Sequence, residues 1–98
     1  MIKSGQVLES TESVSETFII DAKSIVILEG TLSGSWHVQA ARRGVASPVW
    51  TNVRHTGYNQ NEKYVVVEGT PDLDYRINIG SDTNVLGFVY KQRTQTLR

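Results

Sequence analysis

The stretch "VVVEGTPDLDYRINIG", Val65–Gly80, decides how this chain is read. Two apolar runs flank an acidic turn. Pro71 fixes φ at a turn start, and Asp side chains bond their own backbone two residues on. Gly69 is expected to supply a φ that other residues resist. After the turn, Tyr75, Ile77 and Ile79 alternate with Arg76 and Asn78, the period-two pattern of a strand with one face turned inward. The stretch therefore predicts two strands closed by a tight turn, with a single guanidinium on the polar face. The stem of Arg76 is expected to cover apolar surface and its head to fork onto a carboxylate, either Glu68 in its own sheet or an acid of another subunit.

The same period runs outward from this pair. In "GSWHVQA", Trp36, Val38 and Ala40 point one way and His37 and Gln39 the other. In "NVLGFVY", Leu86, Phe88 and Tyr90 oppose Val85 and Val89, so both faces are apolar and the strand is expected to be central or covered on both sides. Strands are predicted over Thr17–Asp21, Ser24–Leu32, Ser35–Ala41, Val49–His55, Lys63–Glu68, Tyr75–Gly80 and Val85–Lys91, with turn signals between them. No stretch shows a sustained helical period with caps. The expected class is all-β: a single small antiparallel β-sandwich or jelly-roll-like barrel of about seven strands, with extended termini. Residues 1–16 read as a polar N-terminal arm, 17–91 as the sandwich domain and 92–98 as a basic C-terminal tail.

Composition narrows the function classes. A chain of 98 residues is one domain with a small core, and small domains without staples often gain stability by oligomerising. There is no cysteine, so disulfides and thiolate metal sites are excluded. The formal net charge is zero, unlike domains that bind by neutralising phosphates. The longest apolar run is near Ile25–Leu28, far short of a membrane-spanning helix. The N-terminal stretch is polar, and no signal peptide or lipidation motif is expected. The arm is rich in Ser, Thr and Glu, and the tail is basic; one reading lays the acidic arm of one subunit on the basic tail of a neighbour.

No constellation reads as a reaction centre. No serine sits in a G-x-S-x-G elbow, and His37 lies mid-strand on a polar face. His37 and His55 lack metal-ligand spacing. Asp72, Asp74 and Asp82 lie in two turns and read as turn formers rather than calcium ligands. No glycine loop joins a strand to a helix, so no nucleotide site and no cofactor are expected. Arg42, Arg43 and Arg54 form the one basic concentration, with Trp50, His55 and Tyr58 near in sequence. In a neutral chain these residues fit a protein interface better than a nucleic acid. Trp50, Tyr58 and Tyr64 are also candidates for stacking on sugar rings. Val7 and Leu8 are apolar residues in a polar arm, the pattern of a docking strand.

The order "GSWHVQA…PVWTNV…YVVVEGTPDLDYRINIGSDTNVLGFVY" resembles small virion proteins of tailed bacteriophages. Trp36 and Val38 match a G-x-W-x-V strand, and Trp50 and Val53 a second W-x-x-V. Gly69 and Pro71 match a V-x-G-x-P turn, and Tyr75, Arg76 and Ile77 a Y-R-I strand. The resemblance covers roughly Ile19 to Tyr90. The chain departs from the pattern between the tryptophans, where "ARRGVAS" replaces an acidic hairpin. The resemblance implies a non-enzymatic structural part of the particle, made in the host cytoplasm and found in the virion. The first expectation is a capsid decoration or cement protein that binds the major capsid protein or other virion proteins as a trimer or dimer, with no nucleic-acid or membrane partner. The second is a carbohydrate-binding or structural module of a tail fibre or appendage, using Trp50 and Tyr58. The expected interface residues are Val7, Leu8, Arg42, Arg43, Trp50, Arg54, Tyr58 and Arg76.

Overall fold

The chain was analysed as a computed structural model, which describes residues 5–20, 23–33, 35–53 and 63–91. The strands are β1 (Gln6–Leu8), β2 (Lys23–Glu29), β3 (His37–Arg42), β4 (Thr51–Asn52), β5 (Tyr64–Glu68), β6 (Leu73–Asn78) and β7 (Leu86–Lys91), and the described residues hold no helix. They form a four-stranded sheet in the order β1-β7-β2-β5 and a three-stranded sheet in the order β4-β3-β6. Every pairing is antiparallel. The all-β expectation holds: the described residues form a small antiparallel β-sandwich of seven strands.

Strand alternation sets the core. Val26 and Leu28 of β2, Val65 and Val67 of β5, Val38 of β3, and Tyr75 and Ile77 of β6 are all buried in one cluster with Trp36, Ile79 and Val85. The inward set expected around Trp36 and around Tyr75 is therefore the observed one. β7 lies between β1 and β2, the central place that its two apolar faces predicted.

The stretch from Val65 to Gly80 is not a hairpin. β5 belongs to the four-stranded sheet and β6 to the three-stranded one, so the acidic turn carries the chain across the sandwich. Leu73 N–H donates to the Thr70 carbonyl at 3.3 Å, which places Pro71 and Asp72 at the two corners of a β-turn. Thr70 N–H donates to the Tyr75 hydroxyl at 2.9 Å, giving a buried phenol its polar partner. Gly69 is needed for space rather than for its φ, which is not positive. A Cβ there meets Ile20 at 2.5 Å, so backbone and side chain of the 14–20 segment pass directly over it.

The N-terminal segment also differs from the expected arm. β1 pairs with β7, and an irregularity between Gln6 and Leu8 shifts the register so that Leu8 lies opposite Gly87. Leu8 is fully buried, over a Gly87 whose missing Cβ leaves it room; a Cβ there meets the Leu8 side chain at 2.8 Å. Residues 13–18 then run along β6. Ser15 N–H donates to the Ile77 carbonyl at 2.9 Å, its buried hydroxyl accepts from Ile77 N–H at 2.8 Å, and Phe18 exchanges both backbone bonds with Tyr75. This segment covers an edge that β6 otherwise leaves open. The strand predicted at Thr17–Asp21 reduces to an isolated bridge at Phe18 over its described part, because the five residues from Val14 to Phe18 answer the four from Asn78 to Tyr75 and the ladder loses register. The strand predicted at Val49–His55 is the short β4 over its described part, and the 92–98 tail lies outside the described residues.

Candidate functional site

Each sheet has an outer face, and the two faces differ in chemistry. The four-stranded sheet turns Ile25 and Ile27 of β2 outward, opposite the inward Ser24, Val26 and Leu28. Register extends this into two apolar rows. Tyr64, Ile27 and Phe88 are cross-strand neighbours, and so are Val66, Ile25 and Tyr90. Phe88 and Tyr90 stack at 6.1 Å and nearly parallel. Phe88 is buried, Ile25, Ile27 and Val66 are half-buried, and Tyr64 and Tyr90 stand 56% and 44% exposed. Charges sit at the ends of the rows: Lys23 with Glu68 opposite it at one end, and Glu29 at the other. A sheet apolar on both faces is a covered sheet or an interface.

The three-stranded sheet turns polar groups outward. Gln39 is the hub. Its Oε1 accepts from Arg76 Nε at 2.8 Å and from Asn78 Nδ2 at 3.3 Å, and its Nε2 donates to Asn52 Oδ1 at 3.0 Å. The Arg76 guanidinium lies over the Trp50 ring, 4.3 Å from its centroid. The ring's negative face attracts the cation, and the half-buried stem covers apolar surface. The carboxylate expected at Arg76 is thus replaced by an amide and an indole. Glu68 is on the other sheet, out of its reach.

The remaining expected residues scatter. Arg43 Nε pairs with Asp74 at 3.2 Å, and its Nη2 reaches the Leu73 carbonyl at 3.3 Å, so it braces the end of β6. Arg42 is exposed at the end of β3. Val7 is half-buried against the core and Leu8 is inside it, both within this chain. Arg54 and Tyr58, with His55, lie outside the described residues. Of the predicted set, the fold brings Trp50 and Arg76 together.

The chemistry of the rest is architectural. The Asp82 carboxylate accepts from Ser33 N–H at 3.1 Å and from its hydroxyl at 2.6 Å, tying one turn to another. Asp74 lies within β6 rather than in a turn, and it is taken by Arg43. No group of three or more His, Asp or Glu among the described residues is placed to hold a metal. Glu9, Glu12 and Glu16 line a shallow depression of ≈ 140 Å³ with Val7. A wider one of ≈ 410 Å³ opens beside β4 between Val49, Thr51, Val53 and Leu73, with no histidine or acid in its lining.

Sequence reasoning passed over Gln39, Asn52 and Asn78 as a unit, and over the apolar outer row of β2 and β5. The second had a visible signal: "SIVIL" and "YVVV" are unbroken apolar runs in which the alternation fails. No protein-family model, no curated protein and no solved structure matches the chain.

Proposed function

We propose that this chain is a non-enzymatic structural protein of a bacteriophage virion, a capsid decoration or cement protein that acts as a homo-oligomer. The observation that supports it best is the apolar outer face of the four-stranded sheet, with Ile25, Ile27, Val66, Tyr64 and Tyr90 in adjoining rows. The occupant of that face is a second copy of the chain. The formal charge of zero means copies do not repel. The virion setting itself comes from the resemblance of the strand-and-turn pattern to phage proteins. A protein of this kind stabilises a capsid by mass action, because it binds the assembled lattice and not the free subunit.

The carbohydrate-binding alternative has less support. One face of Trp50 is occupied by Arg76, which leaves at most the other face for a sugar ring. The test is the solution mass by light scattering after size exclusion, with and without purified capsids. A dimer that co-sediments with capsids at a fixed ratio supports the proposal, and a monomer that ignores capsids overturns it.

A further inference from the structure

The outer face of the three-stranded sheet holds a cation that no anion meets among the described residues. Arg76 donates through Nε to Gln39 and lies on Trp50, and among the described residues no carboxylate comes within ion-pair distance of it. A guanidinium has five N–H donors, and Nε uses one. Among the described residues nothing takes the four on the two terminal nitrogens, which form the planar fork that matches two oxygens of one anion.

The fork is held in place from two sides. Trp50 fixes the plane of the group. Gln39 fixes its rotation, and Gln39 is itself held by Asn52 and Asn78. Register explains why these groups meet. Gln39 is the cross-strand partner of both Asn52 on β4 and Arg76 on β6, so the hub sits on the central strand. Long side chains lose rotamer freedom on binding, and here that freedom is already gone before a partner arrives.

We infer that Arg76, oriented by Trp50 and Gln39, is a receptor for a side-chain carboxylate of an acidic segment on another protein. The charge around it selects the ligand. Asp74 on the same strand is already neutralised by Arg43, and the groups that touch Arg76 are two uncharged side chains. One positive charge among amides suits a single negative charge. Phosphate sites in contrast gather several cations or backbone N–H groups. The inference goes beyond the proposed self-association, since it uses the opposite face of the sandwich.

The experiment titrates the isotopically labelled full chain with N-acetyl-Asp-Glu-Asp-amide at low salt and follows the Arg76 Nε–H and Trp50 indole resonances. Trp36 is buried in the core and serves as the internal control. Both reporter signals are expected to shift with the acidic peptide and to stay in place with N-acetyl-Asn-Gln-Asn-amide. Arg76→Lys keeps the charge and loses the fork; it is expected to weaken the peptide by about ten-fold. Gln39→Met frees the rotation of the fork and is expected to weaken it by a smaller factor. Three results overturn the inference: no shift with the acidic peptide, equal affinity in Arg76→Lys, or inorganic phosphate binding as tightly as the peptide. Ile27→Lys, measured beside them, separates this site from the proposed dimer face. Loss of self-association there with the peptide shifts intact shows that the two faces act independently. Loss of the peptide shifts in folded Ile27→Lys also counts against the site.

Discussion

The outer faces of the two sheets show how differently one chain can finish the same kind of strand. On the four-stranded sheet, the outward residues Ile25, Ile27, Val66, Tyr64 and Tyr90 lie with Phe88 in two apolar cross-strand rows. On the three-stranded sheet, the outward residues Gln39, Asn52, Arg76 and Asn78 bond one another and leave little polar capacity idle apart from the Arg76 fork. The first face gains free energy by leaving water, without regard to direction. The second is directional, and its groups already have partners. An apolar face therefore invites any complementary surface, while a satisfied polar face accepts only a ligand that fits the group left over.

The comparison can be tested at decreasing scale. The largest effect is expected at the element both faces depend on. Leu8→Ala removes a fully buried side chain opposite Gly87 and is expected to cost about 2–5 kcal/mol in urea unfolding. Val7→Ala, at a half-buried position beside it, is expected to cost under about 1 kcal/mol. If the two variants are equally stable, the N-terminal segment is an arm and not part of the sandwich. Next, Ile27→Lys is expected to convert the proposed dimer to monomer in light scattering, with Asn78→Lys leaving the mass unchanged. Equal behaviour of the two variants abolishes the distinction between the faces.

Smaller changes sharpen the polar side. Trp50→Ala removes the surface under Arg76 and is expected to cost about 1 kcal/mol, in the range of a partly exposed cation–π contact. A loss no larger than that of Asp74→Ala shows that Arg76 is not stacked in solution. Asp74→Ala breaks a pair in which both side chains keep a third or more of their exposure. Its cost is expected to be about 0.5 kcal/mol or less and to vanish in high salt. A larger, salt-independent loss means that the Arg43 bond to the Leu73 carbonyl carries the bracing.

The residues differ in how legible they were. Trp36, Val38, Tyr75 and Ile77 alternate cleanly and are core residues, because a period of two leaves a strand no other way to bury one face. Val85 to Tyr90 announced a strand apolar on both sides, and β7 is central. Arg76 was visible as an outlier on a polar face, but its partner was not. A guanidinium meets whatever register places beside it, and register depends on a strand pair, β3 with β6, whose members lie far apart in the chain. Gly69 was expected to matter for its φ, which is not positive; what it provides is space. The crowding comes from Ile20, a contact that nothing near Gly69 in sequence predicts.

By itself, the sequence determined the class of the fold, the place of the turns and which face of most strands turns inward. These are local properties, written in alternation and in turn chemistry within a few residues. Tertiary structure alone decided that β5 and β6 belong to different sheets, that Leu8 closes the core, and that Gln39 meets Arg76. Each of these is a pairing across many residues, and its free energy depends on what the rest of the chain places opposite. A period of two states which residues share a face; it carries no information about which strand, or which copy of the chain, that face will meet.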